Sequence, residues 1–177
     1  RDSRHRAGAD GAPPGVARLM GCHVVDTCVL IAANGMADAS PVCADACRAA
    51  LLQALNEMVA LDDQWLILNE YFTYAHHSGQ PGLGDAFAKR LRDQQFDPKV
   101  VRRVALTPDE ARVYEQFPDD DELVGFDRSD RPFVAVACGA GPGTRLITAL
   151  DSDYRIYREP IQRHLTLVVP DDCWPSA

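Results

Sequence analysis

Residues 23–35 read HVVDTCVLIAANG. The short apolar run at 22–25 has the length and composition of a buried strand, and TCVLIAA after it reads as a short helical segment closed by Asn34-Gly35. Asp26 stands between the two. A carboxylate at that place serves either as the cap of the following helix or as a ligand for a cation. Which role holds depends on whether other strands end in the same way.

Two more do. WLIL (65–68) reads as a strand, with Glu70 two residues beyond it in the first turn of a helix NEYFTYAHH. TRLIT (144–148) reads as another, with Asp151 three residues past Thr148 in the segment DSDY. A fourth acid, Asp130, heads a helix carrying Phe133, Val134, Val136 and Ala137. Around these, Ser40-Pro41 opens a helix running to about residue 60, and another runs to about Gln95. KVVRRVAL holds an edge strand, and LTLVV (165–169) is the last strand. TPDE (107–110) reads as a capping box that starts a helix, with Asp109 and Glu110 serving its terminus. Strands alternating with helices imply an α/β fold, a three-layer α/β/α sandwich around a mainly parallel sheet.

In a parallel sheet the carboxyl ends of the strands share one edge, where ligands bind. The spacing therefore brings Asp26, Glu70, Asp130 and Asp151 toward one place. Like charges so close raise one another's pKa, and a hard divalent cation relieves the repulsion. Oxygen donors with no convincing His/Cys set favour Mg²⁺ or Mn²⁺ over zinc. Each acid alone also has a plain explanation: Asp26 and Asp130 as helix caps, Glu70 as a partner of a helix dipole, Asp151 in a turn.

Bulk properties narrow the classes. With 177 residues, 46% hydrophobic and 25% charged, the chain suits one soluble domain. Residues 1–19 hold four Arg against two Asp and lack hydrophobic periodicity, so they read as a disordered leader ahead of a single domain over 20–177. The formal net charge of −8 argues against a sequence-blind grip on duplex DNA but not against a nuclease, whose metal ligands are themselves acidic. No apolar run approaches a bilayer span, and a cytoplasmic location is the expectation. The six cysteines form no CxxC pair, which argues against a disulfide framework. Cys43 and Cys47, one helical turn apart, read as two small buried residues rather than a ligand pair.

The segments VVDTCVLI, LNEYF, DRSDRPFVAVA and DSDY, in this order over residues 21–170, together resemble the PIN-domain family. The resemblance implies that Asp26, Glu70, Asp130 and Asp151 are the metal-binding acids, with Asp153 supplementary and Thr27 a hydroxyl supporting the first Asp. It implies a Mg²⁺- or Mn²⁺-dependent ribonuclease acting on RNA. Many members are toxins blocked by an antitoxin protein, and homodimers are common. Cys28 stands where many relatives have Asn, which removes a polar neighbour of Asp26, and Asp127 is placed to share or exchange the role of Asp130. Arg128, Arg131 and Arg145 are candidates for phosphate contacts, Tyr71, Phe72 and Tyr74 for base stacking, and His76 or His77 for a general base. The alternatives are an inactive PIN-like scaffold that binds RNA or protein, and a DNA nuclease of the same architecture. A phosphatase of the haloacid-dehalogenase type needs a second Asp at position 28, where this chain has Cys.

Overall fold

The structure, a computed structural model, describes residues 21–174; the leader expected over 1–19 lies outside them. In chain order the elements are β1 (Cys22–Val25), α1 (Thr27–Ala33), α2 (Pro41–Asn56), β2 (Met58–Asp62), α3 (Leu66–Tyr74), α4 (Leu83–Gln94) and β3 (Val101–Val104). A small hairpin of β4 (Pro108–Asp109) and β5 (Val113–Tyr114) follows, then α5 (Arg131–Gly139), β6 (Thr144–Ile147), α6 (Ser152–Ile156), α7 (Arg158–Gln162) and β7 (Thr166–Val168).

Five strands form one sheet in the order β3-β2-β1-β6-β7, every neighbour parallel. Helices flank it, as expected for an α/β sandwich. β1 lies at the centre because all four of its side chains are apolar enough, or paired enough, to be buried on both faces. Its imidazole, that of His23, pairs with Glu57 at 2.6 Å. β3 reads VRRV, with both arginines exposed, and takes the edge, where charged side chains discourage further pairing. The connections run outward from β1 through β2 to β3, while β6 and β7 lie on the other side of β1. The winding therefore changes direction between β1 and β6. At such a switch point the flanking segments diverge and leave a crevice at the carboxyl ends of the strands.

Four sequence expectations are corrected. The second strand is MVALD at 58–62, not WLIL, and the helix expected to run to about residue 60 stops at Asn56. WLIL instead belongs to the start of α3. Asp62 decides this: its carboxylate accepts backbone N–H groups from Gln64 (2.8 Å), Leu66 (2.8 Å) and Ile67 (2.9 Å). Those donors have no partner inside the helix, so the carboxylate satisfies the terminus and starts α3 earlier than the apolar pattern suggests. As a result Glu70 falls in the second turn of α3, and no acid occupies the first. Finally, TPDE enters the β4–β5 hairpin. Asp109 accepts from the backbones of Ala111 (3.0 Å) and Arg112 (2.7 Å), closing a turn rather than opening a helix.

Replacing Asp62 with Ala strands these donors and should cost about 3 kcal/mol of stability. Urea unfolding of the variant and the parent measures it; a loss below about 0.5 kcal/mol would contradict the role given to Asp62.

Candidate functional site

Asp26, Glu70, Asp130 and Asp151 line a single cleft of about 420 Å³, together with Thr27, Cys28, Thr73 and Tyr74. Four segments distant in sequence meet there. Asp26 follows β1 directly, Asp151 follows β6 after a short loop, Glu70 projects from α3, and Asp130 precedes α5. The cleft thus sits at the carboxyl edge of the sheet, beside the β1–β6 switch point. Hollows of about 450 Å³ beside Thr144 and His164 and about 520 Å³ beside Arg155 and Arg158 are as large but gather no such cluster, so volume does not select the site.

Asp26 occupies the N-cap position of α1, yet its side chain makes no capping hydrogen bond. Asp130 occupies the N-cap position of α5 and makes none either. Glu70 lies outside the first turn of α3. Only Asp151 caps its helix, accepting from Asp153 N (2.7 Å) and Tyr154 N (3.4 Å) through Oδ1. Three of the four acids therefore lack the local role that would account for them.

What holds each acid is side-chain chemistry from neighbouring strands. The parallel register pairs Val25 with Ile147, so residue 148 comes alongside Asp26. Thr148 Oγ1 donates to Asp26 Oδ2 at 2.8 Å, and Cys28 Sγ donates to the same oxygen at 2.9 Å. The Cys28 sulfur in turn accepts from Ala149 N at 3.2 Å. Burial, and then the Asp26 charge, push the Cys28 thiol well above its usual range, which keeps it protonated and able to donate. Cys28 thus supplies the polar support that its difference from the family pattern was expected to remove. Thr27 supports a different acid from the one expected: its hydroxyl donates to Glu70 Oε1 at 2.7 Å. The role of Thr148 was missed, although a hydroxyl ending the strand that pairs with β1 is a usable signal once the register is known.

Burial and mutual repulsion set the electrostatics. Desolvation pushes Asp26 up to about 6, against the hydrogen bonds from Cys28 and Thr148. Asp130 is pushed up to about 8, first by desolvation and then by the charges of Asp26, Asp151, Asp127 and Glu70. Glu70 is raised by burial, with Asp26 and Asp151 adding to it and Thr27 opposing. Asp26, Glu70 and Asp130 therefore resist ionising together, a cost that a divalent cation would offset, although the only trio of carboxylates among the described residues with oxygens mutually within 4.8 Å is Asp127, Asp130 and Asp153. The donor set, all carboxylate oxygen, fits a hard ion such as Mg²⁺ or Mn²⁺. Asp153 joins from the side: its carboxylate, that of Asp130 and that of Asp127 bring oxygens within 4.8 Å of one another. Asp127 therefore shares the neighbourhood of Asp130 rather than replacing it. Backbone and hydroxyl donation from Ser129 hold Asp127 below the usual carboxylate range.

The remaining candidates separate clearly. Arg131 is buried, stacks over Phe117 at 4.7 Å and donates to the carbonyls of Phe126, Arg112 and Val124, so it ties the preceding loop to the start of α5. Arg145 pairs with Glu57 at 2.8 Å near the opposite edge of the sheet. Neither is free to meet a phosphate in the cleft, whereas Arg128 is exposed beside Ser129 and Asp130. Tyr71 is buried, with its hydroxyl on Val25 O, and Phe72 stacks on His77. Tyr74 lines the cleft and is 51% exposed. His76 and His77 are exposed and do not line it. No helix among the described residues is long and apolar enough to cross a membrane.

No family model, curated protein or solved structure matches the chain.

Because Asp26 and Asp130 titrate above the ordinary aspartate value of 3.8 in the folded state, the folded protein binds more protons than the unfolded chain from about pH 4 to about pH 8. Stability of the metal-free protein should therefore fall as pH rises through that window. Added Mn²⁺ should raise Tm more at pH 8.5 than at pH 5. Thermal melts in chelator-treated buffer test this, and a cleft without coupled acids gives a flat profile once Asp26→Asn and Asp130→Asn are compared with the parent.

Proposed function

We propose that the chain is a metal-dependent endoribonuclease of the PIN-domain type. Asp26 and Asp130 carry this proposal: both stand at helix starts, neither caps its helix, and both face the same cleft with raised pKa values. Carboxylates held in that state, without cationic side chains to pair them, suit a site whose countercharge is a bound cation. The order of the acids along the chain and the direction change between β1 and β6 support the same assignment.

A Mg²⁺ or Mn²⁺ ion held by Asp26, Glu70, Asp130 and Asp151 would polarise the scissile phosphodiester and lower the pKa of an attacking water. The chain itself orients the ligands. Thr148 and Cys28 fix the Asp26 carboxylate, Thr27 fixes Glu70, and the first N–H groups of α6 hold Asp151. Asp153 and Asp127 add negative charge beside Asp130. No side-chain nucleophile is required, since positioning and charge stabilisation supply the chemistry. Tyr74, exposed on the cleft wall one turn after Glu70, offers a ring face to an unstacked base, and Arg128 offers a cation to a neighbouring phosphate.

Incubating the protein with end-labelled single-stranded RNA should give internal cleavage with Mg²⁺ or Mn²⁺ and none with EDTA. Asp26→Asn should lower the rate by at least about a thousandfold while circular dichroism stays native. Full activity in that variant rejects the assignment, and cleavage of matched DNA but not RNA makes the protein a DNA nuclease. No metal-dependent cleavage of either, with RNA still bound, makes it a scaffold.

Tyr74→Ala should raise KM about tenfold with kcat nearly unchanged, the worth of one stacked base. Tyr74→Phe should restore it, and an unaltered KM in the alanine variant removes Tyr74 from the substrate path.

A further inference from the structure

Away from the acidic cleft, three cysteines meet in the core, and none of them enters the chemistry proposed above. Cys43 and Cys47 lie one turn apart on α2, so their side chains share a face. Cys173, near the end of the described chain, comes back against that face. It forms a disulfide with Cys43 across a Cα separation of 4.8 Å, and its sulfur lies 3.6 Å from the Cys47 sulfur. All three residues are at least nine-tenths buried, and one atom from each lies within 4.8 Å of the others. The disulfide corrects the expectation that the cysteines stay unpaired, and it was illegible because its partners are 130 positions apart.

The approach of Cys173 is built, not incidental. Its amide donates to Pro170 O in a turn, Asp172 adopts a left-handed backbone at φ 60°, and Ser40, the N-cap of α2, donates to the Asp172 carboxylate. Arg158 stacks over the adjacent Trp174 at 5.6 Å. These contacts hold the segment against α2 independently of the sulfur bond, so Cys173 stays within reach of both helix cysteines.

We propose that Cys43, Cys47 and Cys173 form a thiol–disulfide exchange site in which Cys173 is joined to either of the two α2 cysteines. In the exchange, the Cys47 thiolate attacks the Cys173 sulfur. The Cys43–Cys173 bond breaks, the Cys47–Cys173 bond forms, and Cys43 leaves as the thiolate and takes up the proton that Cys47 gave away. No electrons are gained or lost. Loading the site from three thiols takes two electrons, accepted by a small-molecule disulfide such as glutathione disulfide, which leaves as two thiols. Burial pushes the Cys47 thiol up to about 11, with Arg48 pulling the other way, so the resting site holds one disulfide and one neutral thiol. Either linkage closes a loop of more than a hundred residues and restricts the unfolded chain to a similar extent.

Mass spectrometry after alkylation and cleavage before Asp45, which separates Cys43 from Cys47, reads the linkage directly. After oxidation with glutathione disulfide the full chain should carry Cys43–Cys173, and Cys43→Ser should carry Cys47–Cys173 while keeping most of the parent Tm. Cys173→Ser should lose about 10 °C relative to the oxidised parent. A free Cys173 thiol in natively folded Cys43→Ser, under conditions that oxidise the parent, overturns the proposal. Should that variant fail to fold, the parent equilibrated in mixed glutathione decides: a Cys47–Cys173 peptide supports exchange, and its complete absence refutes it. None of these readings depends on nuclease activity.

Discussion

Asp26 is a charged group placed where the solvent is almost gone. It is 3% exposed at the end of the central strand, between a helix whose backbone it does not cap and a neighbouring strand whose Thr148 it engages. Ionising it there is unfavourable, and its donors are chiefly the Thr148 hydroxyl and the Cys28 thiol, with a weaker pull from the Cys28 amide. Such an environment lowers the cost of the charge without removing it. The other acids make the constraint sharper, because Glu70 and Asp130 each feel the Asp26 charge. The carboxyl edge of the sheet is therefore organised around negative charge that the polypeptide leaves uncompensated.

Asp62 shows how differently a strand-ending carboxylate can be used. It closes β2 as Asp26 follows β1, and it too is buried. Yet Asp62 takes three backbone N–H groups and begins a helix, whereas Asp26, at the start of α1, takes two side-chain donors and makes no capping hydrogen bond. Backbone donors at a helix terminus are a sufficient partner for a carboxylate. The comparison separates an acid whose charge the backbone satisfies from one whose charge it leaves largely unsatisfied, and it does so by hydrogen-bond accounting rather than by position in the sequence.

Arginine, too, is divided by role. Arg131, adjacent in sequence to Asp130, spends its guanidinium on backbone carbonyls and on the Phe117 ring, and so fixes the loop from which Asp130 is presented. Arg145 neutralises Glu57. Neither guanidinium pairs with an acid of the cleft, so Arg131, one residue from Asp130, leaves that carboxylate without an ion-pair partner. At the far side of α2 the three-cysteine cluster fixes a second point of the fold without touching the cleft.

The general alternation of strands and helices, the burial of the 22–25 strand and the approach of four acids to one cleft were legible in the sequence, because apolar periodicity and strand-terminal charge are local signals. The α/β class followed from their alternation. What local signals could not supply was competition between neighbours. WLIL is apolar enough for a strand, and only the Asp62 carboxylate beneath its amides makes it helical; TPDE resembles a helix start until Asp109 closes a hairpin turn. Likewise Thr27 and Thr148 are equivalent hydroxyls on paper, and the β1–β6 register alone assigns Thr148 to Asp26 and leaves Thr27 to Glu70. Cys43 and Cys173 meet for the same reason. Sequence specifies what each segment prefers by itself, while pairing between distant segments is decided by the sheet and its packing, whose contacts no single window contains.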